Sequence, residues 1–258
     1  MSPRYFKNKY SEEKREARLE YKKKLKEARA AHDVRMESYY LTTGARRPIN
    51  PPKRPLLEEI GNSVTHGVGS IFAIVALVLM LLSADKPIEI ASALIYFVGM
   101  FVMFTVSTLY HAFPHGSTVK RLFRRFDYSS IYLLIGATFA PVLLCYFGDT
   151  FGTVFFIIQW AVIALGITLI GVFGPAKLRY VHIPLYVVLG WSALMLLPRM
   201  IAGNFPLAMW ILAGGIIYSV GIIPYAIKAK VSHFIWHFFV LAGAVTQWIG
   251  VYLYLFKL

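Results

Sequence analysis

Seven apolar runs, each close to the ~20 residues an α-helix needs to cross the hydrocarbon of a bilayer, fill the chain from about residue 61 onward. They fall at 61–84, 87–112, 127–147, 153–173, 180–198, 206–227 and 233–256. The breaks between them carry turn residues and charge: Asp85-Lys86-Pro87, Pro114 to Arg125, Gly148-Asp149, Gly174-Pro175, Gly203-Asn204 and Lys228 to Ser232. None of the runs alternates with the period of a barrel strand. The expected fold is therefore all-α, a seven-transmembrane helix bundle over residues 56–258, preceded by a basic tail and Pro-rich linker at 1–55.

The remaining polarity excludes a soluble protein. Charged residues make up 16% of the chain, against about 25% in an ordinary soluble domain. Beyond Glu59 the only acidic residues are Asp85, Glu89, Asp127 and Asp149. A net charge of +14 is a common footprint of nucleic-acid binding. Here 16 of the 27 Lys and Arg lie between Arg4 and Arg54, and the others flank apolar runs. Topology and anionic lipid headgroups account for that pattern, so no nucleic-acid partner is expected. The single Cys145 excludes a disulfide framework and a Cys-rich metal site, and its apolar surroundings predict an inert buried thiol. The first fifty residues hold no apolar h-region, so no cleavable signal peptide is expected. Residues 11–31 read as a solvated helix in which Glu20 and Lys24 form an attractive pair and Leu19 and Leu25 are too few for a core stripe. The segment RRPINPPKRP (46–55) breaks it, because Pro removes donors and disfavours helix before it.

Loop charges set the orientation. With the amino terminus in the cytoplasm, 24 Lys and Arg lie inside, including Lys120, Arg121, Arg124, Arg125, Lys177, Arg179, Lys228 and Lys230, against Lys86, Arg199 and Lys257 outside. The short loops alone give eight against two. The positive-inside rule then places the carboxyl terminus outside.

Ionisable groups in apolar spans are costly and usually functional. They are His66, His111, Asp127, His182, His233 and His237, with Glu59, Asn62 and Ser107 nearby. In the seven-span topology each falls at the cytoplasmic end of its helix. His233 and His237 stand at i, i+4 on one face, as do Ser107 and His111, and Glu59, Asn62 and His66 form one stripe. Asp127, Ser130, Thr138 and Pro141 share a face of the third span, and the His pair continues through Ala244 to Gln247. Such faces line an interior cavity. Three neutral imidazoles from His111, His233 and His237 suit zinc, with the fourth position open to water as in catalytic sites. Asp127 then fits as an outer partner and base for that water, and Ser107 as a donor to an oxyanion or to a ligand ring. A His-x3-His pair by itself equally fits helix packing. His32 and His115 fit solvated positions in the tail and a loop. His182, beside Arg179-Tyr180, fits an interfacial side chain. His66 fits either a structural hydrogen bond with Asn62 or metal binding.

Glu59-x2-Asn62-x3-His66, Ser107-x3-His111, Arg-Arg-Phe-Asp127-Tyr and His233-x3-His237, in this order on spans one, two, three and seven, resemble the haemolysin III family. That family is the bacterial branch of the progestin and adipoQ receptor (PAQR) group, within a wider set of membrane hydrolases that includes alkaline ceramidases. The resemblance covers about residues 56–258 and leaves the tail out. It implies a multi-pass plasma-membrane protein with zinc near the cytoplasmic leaflet, held by His111, His233 and His237. It also matches Asp127 to the acid that holds the metal-bound water, Ser107 to the motif serine, and Glu59, Asn62 and His66 to a supporting signature. Three functions follow from this reading: a zinc-dependent hydrolase of a lipid amide or related acyl bond, a receptor or regulator of membrane lipid state with structural zinc, and cytolysis. Membrane lipid is the expected substrate or ligand, and anionic headgroups are the expected partners of the tail. Gly214-Gly215 permits close packing within the bundle or between protomers, which leaves the oligomeric state open.

Overall fold

The computed structural model describes residues 3–44, 49–227 and 231–257, and of residues 3–9 only the backbone. Arg46, Arg47, Lys228 and Lys230, which enter the linker and orientation arguments, lie outside the described residues. Among those described there are helices and no strands. The chain divides into two compact units at Ile49/Asn50. The first holds one helix, α1 (Pro3–Thr43), longer at both ends than the 11–31 stretch. Leu19 and Leu25 are exposed on it, and Glu20 pairs with Lys24 at 2.8 Å.

The second unit contains seven helices long and apolar enough to cross a membrane. In chain order they are α2 (Leu56–Ser83), α3 (Pro87–Ala112), α4 (Thr118–Pro141) with a π-helical continuation Val142–Phe147, α5 (Thr150–Phe173), a composite fifth span, α8 (Phe205–Ile227) and α9 (Ser232–Val251) with a π-helical continuation Tyr252–Phe256. The fifth span consists of α6 (Arg179–Trp191), a 3-10 turn Ser192–Met195 and α7 (Leu197–Gly203). Its interruption lies between Pro184 and Pro198, each of which removes a helical donor, and it runs to Gly203 rather than to 198.

Short polar side chains start the helices by taking up unpaired backbone N–H groups. Ser117 Oγ accepts from Lys120 N at 3.0 Å, Asp149 Oδ1 from Gly152 N at 2.8 Å and Asn204 Oδ1 from Leu207 N at 3.1 Å. Gly148 and Gly174, at φ 57° and 76°, end α4 and α5 in backbone conformations that exclude most side chains. The Ser117 cap corrects one expectation. The third spanning helix begins at Thr118 and not near 127, so Lys120, Arg121, Arg124 and Arg125 are helical rather than loop residues. Charge marks where hydrocarbon ends, whereas the helix continues until its cap.

Helices α2, α3 and α4 pack side by side, α8 pairs with α9, and α2 closes against α9. Helix α4 is the most enclosed, with 61% of its apolar window buried, because α3, α5, α6 and α9 all touch it. Small residues allow the close contacts. A methyl group on Gly99 of α3 would overlap Ala137 of α4 and come within 2.8 Å of the Leu133 carbonyl. Gly214 meets Gln247 and the Gly243 carbonyl across the α8–α9 contact, while Gly215 faces open space. Ala73, Ala76, Ala93, Tyr96, Met100 and Phe104 belong to the main core. On α2, Val64, Ile71, Val78 and Leu82 are exposed, the outward apolar face of an integral, multi-pass membrane protein.

Candidate metal centre

Four helix ends meet at one end of the bundle. The first turns of α2 supply Glu59, Asn62 and His66, and the last two turns of α3 supply Ser107 and His111. Asp127 comes from α4, and His233 and His237 come from the first two turns of α9. Asn62, His66, Ser107, His111 and His237 are buried, while Glu59, Asp127 and His233 are partly buried. The i, i+4 spacing on α9 brings His233 Nε2 to 3.2 Å from His237 Nε2.

Hydrogen bonds orient two of the imidazoles. His111 Nδ1 donates to Glu59 Oε2 at 2.6 Å, with Asn62 Nδ2 3.3 Å from the same nitrogen. His237 Nδ1 donates to the Asn62 backbone carbonyl at 3.2 Å. A proton held on Nδ1 leaves the Nε2 lone pair free in both rings. His111 Nε2 is buried and has no partner in the protein. One nitrogen from each of His111, His233 and His237 lies within 4.8 Å of the others. Two nitrogens about 2.0–2.1 Å from a tetrahedral ion stand about 3.3 Å apart, close to the His233–His237 separation. The trio therefore fits a metal ion that prefers nitrogen ligands.

Asp127 and Ser107 stand beside the trio. Both line a cavity of about 210 Å³ whose wall also includes His66, His233 and His237, and the Ser107 hydroxyl interacts with the Asp127 carboxylate. Ser130 and Thr138 are buried on the same side of α4, and Ala244 and Gln247 are buried on α9, in accord with the expected faces. The cavity extends away from the histidines to Thr138, Phe139, Leu197 and Ile211, with α6 and α8 forming further walls.

Two histidines differ from their expected settings. His66 neither joins the trio nor bonds Asn62. It stacks on His237, with centroids 3.8 Å apart and planes at 17°, and meets the edge of Phe104. His182 is not interfacial. It is 0% exposed and its Nδ1 lies 3.0 Å from the Tyr132 hydroxyl, because the α6 turn that carries it packs against α4. His115 is exposed as expected, although its Nε2 lies 3.0 Å from the Pro51 carbonyl. Cys145 is only partly buried, and its Sγ lies 3.1 Å from Ser92 Oγ.

Sequence reasoning overlooked Lys120 and Arg54. Lys120, counted as a loop charge, is 1% exposed. Its Nζ donates to Glu59 Oε1 at 2.9 Å and to the Phe113 carbonyl at 3.0 Å. Arg54, assigned to a linker, belongs to the bundle unit and pairs through Nε with Glu58 Oε1 at 3.8 Å. The segment 50–55 is pinned to the α3–α4 connection by His115 and to the first turn of α4 by Arg121, whose Nη1 donates to Asn50 Oδ1 at 3.1 Å. The i, i+4 spacing of Arg54, two residues before the helix start, and Glu58 in its first turn was the available signal.

A family model described as haemolysin-III related matches residues 55–248. The chain is 34% identical over 205 residues to Hemolysin-3 of Bacillus cereus, covering 76% of this chain and 91% of that protein. It is 34% identical over 205 residues to the Hemolysin-3 homolog of Bacillus subtilis (strain 168), covering 78% and 95%. It is 28% identical over 221 residues to the human Monocyte to macrophage differentiation factor, covering 82% and 91%.

Proposed function

Because the chain belongs to the haemolysin III-related family, we propose that it is a membrane hydrolase that holds zinc at His111, His233 and His237 and cleaves a lipid amide or related acyl bond. In this reading the amino terminus and the metal face the cytoplasm, and the Bacillus relatives favour a bacterial plasma membrane. The observation that carries it is the convergence of three imidazole nitrogens beside a carboxylate at the polar end of an apolar cavity.

Zinc bound to the trio supplies Lewis-acid activation of water and of an acyl carbonyl. The protein supplies the rest. Glu59 and the Asn62 carbonyl fix two ligand rings by accepting hydrogen bonds from their Nδ1–H groups, which also raises ligand basicity. The Asp127 carboxylate takes a proton from the attacking water and returns it to the leaving group, as a general base and then acid. Ser107 donates a hydrogen bond at the reacting carbonyl. The cavity beyond Asp127 receives the acyl chain and excludes bulk water. Anionic headgroups hold the basic face of α1 near the membrane.

Metal analysis of the purified protein beside the His233→Ala/His237→Ala double variant tests the ligand set, with zinc expected in the first and absent from the second. Acyl release from ceramide-like and other acyl lipids tests the reaction. Stoichiometric zinc with no turnover of any of them would overturn the hydrolase.

A second reading is a receptor or regulator of membrane lipid state in which the metal is structural. There Asp127→Asn leaves function intact, whereas the hydrolase loses it with zinc and folding unchanged. The name of the Bacillus cereus relative raises cytolysis, but the apolar residues of the far cavity offer no path for ions. Conductance in pure lipid vesicles at low protein density would support it.

A further inference from the structure

Arg54 and Arg124 bring two guanidinium groups near the metal end of the bundle, and neither is among the residues that line the apolar cavity. Arg54 lies just before α2, and Arg124 stands one turn before Asp127 on α4. Both act electrostatically on the same two groups, Asp127 and Tyr110, and Arg54 also acts on His233 and Tyr225. Each has a buried donor that the protein does not match. Arg54 Nη1 and Arg124 Nε are buried with no hydrogen-bond partner. Arg54 reaches Glu58 only through Nε at 3.8 Å, and the Arg124 guanidinium lies 5.8 Å from the centre of the Tyr128 ring. Buried donors in folded proteins are nearly always paired, so two unmatched guanidinium donors near one carboxylate call for an acceptor from outside the chain.

Charge indicates what that acceptor is. Asp127, Glu58 and Glu59 balance Arg54, Arg124 and Lys120, while the buried histidines are neutral as ligands. A divalent ion on the trio then leaves the site net positive, and an anion restores the balance. Guanidinium forks match the planar and tetrahedral oxyanions of carboxylate and phosphate. Position separates these two. A carboxylate released from an acyl bond arises at the metal end of the cavity, beside Asp127, with its chain extending towards Phe139. The two arginines do not line that cavity, so they suit the headgroup of the same lipid rather than its acyl carboxylate, and the common anion of a lipid headgroup is phosphate.

We propose that Arg54 and Arg124 bind the phosphate of a lipid headgroup, so that the substrate of the hydrolase is an acyl lipid carrying a phosphate rather than a neutral one. This rests on the hydrolase reading for the word substrate, but the binding site stands on its own residues.

Short-chain ceramide and ceramide 1-phosphate, identical apart from the phosphate, are the probes. Their binding to the full-length, zinc-loaded protein in detergent micelles is read by native mass spectrometry or calorimetry. The phosphorylated probe is expected to bind about tenfold or more tightly, the equivalent of one charge-assisted hydrogen bond. Arg54→Gln and Arg124→Gln should each remove most of that preference and leave zinc content and ceramide binding unchanged; Arg124→Gln should also keep the melting temperature, whereas Arg54→Gln lowers it because Glu58 loses its counter-charge. Equal binding of the two probes, or a preference that survives the double variant, overturns the proposal. Inorganic phosphate that binds with matching affinity and displaces the probe assigns the site to free phosphate and overturns the lipid assignment. Should Arg54→Gln fail to fold, Arg124→Gln decides alone. Acyl release is scored separately. Arginine-dependent binding without turnover removes the hydrolase and keeps this site. Turnover of both amides at equal kcat/KM, unaffected by the double variant, keeps the hydrolase and removes this site.

Discussion

Glu59 serves two partners with one carboxylate. Oε2 accepts the His111 Nδ1 proton at 2.6 Å, and Oε1 accepts from Lys120 Nζ at 2.9 Å. The first contact fixes a ligand ring, and the second offsets the burial of a charge in a lipid-embedded bundle. The two can be separated by mutation. Glu59→Gln weakens the hold on His111 and should lower zinc affinity about 10–100-fold, as loss of an outer partner to a metal ligand typically does; competition with a chelator of known affinity measures it. Lys120→Met leaves Glu59 without its counter-charge and should reduce stability by about 3–5 kcal/mol, read as a fall in melting temperature. The double variant should recover part of that loss, because no unpaired charge remains. The histidines were legible in the sequence because ionisable residues inside apolar runs are few and their spacing is helical. Lys120 and Arg54 were not. A basic residue at the edge of a span reads as topology, and only the folded bundle shows which one turns inward to a carboxylate more than sixty residues away.

At the scale of the helices, the apolar runs located all seven spans but misplaced three of their limits, at 61, 127 and 198, by five residues or more. An apolar run ends where hydrocarbon ends, whereas a helix ends where its backbone finds a cap. Ser117 therefore starts α4 at Thr118, well before the run at 127. The break in the fifth span at Ser192–Met195 was equally hidden, because Ser-Ala-Leu-Met carries no turn residue that marks it. Between α5 and α7 an ion pair closes the other end of the bundle. Asp149 accepts from Arg199 Nη2 at 2.7 Å and from Gly152 N at 2.8 Å. The hydrogen bond from Arg199, followed by that from Gly152, holds the Asp149 carboxyl below the usual carboxylate range. A depressed carboxyl contributes its stability above the unfolded pKa near 3.9 and loses it as pH falls through the lower folded value. The difference in melting temperature between wild type and Asp149→Ala should be constant from about pH 7 to pH 5 and close below about pH 4. It should also shrink in high salt, since both side chains are exposed.

For the molecule as a whole, the family match begins at residue 55 and the compact bundle unit at Asn50, so α1 is an addition to a shared membrane domain. In the orientation proposed from loop charge, the metal end of that domain faces the cytoplasm. In a Cys145→Ser background, a cysteine in place of Lys86 or Asn204 should react with a membrane-impermeant maleimide on intact cells. One in place of Lys177 should react only after permeabilisation, and the reverse pattern would invert the protein in the membrane. The shape of the cavity adds a limit on its cargo. Along α4 it is lined from Asp127 to Phe139, a dozen residues that rise about 18 Å at 1.5 Å each. In the proposed hydrolase, a hydrocarbon tail anchored at Asp127 would reach the level of Phe139 and Leu197, both in the cavity wall, after that distance. If the protein is the proposed hydrolase, the cavity would act as a depth gauge, taking tails that end short of these side chains and making longer ones bend or leave sideways. Phe139→Ala should make room there and move the preferred tail length upward, measured as the chain length of greatest kcat/KM across a homologous acyl series.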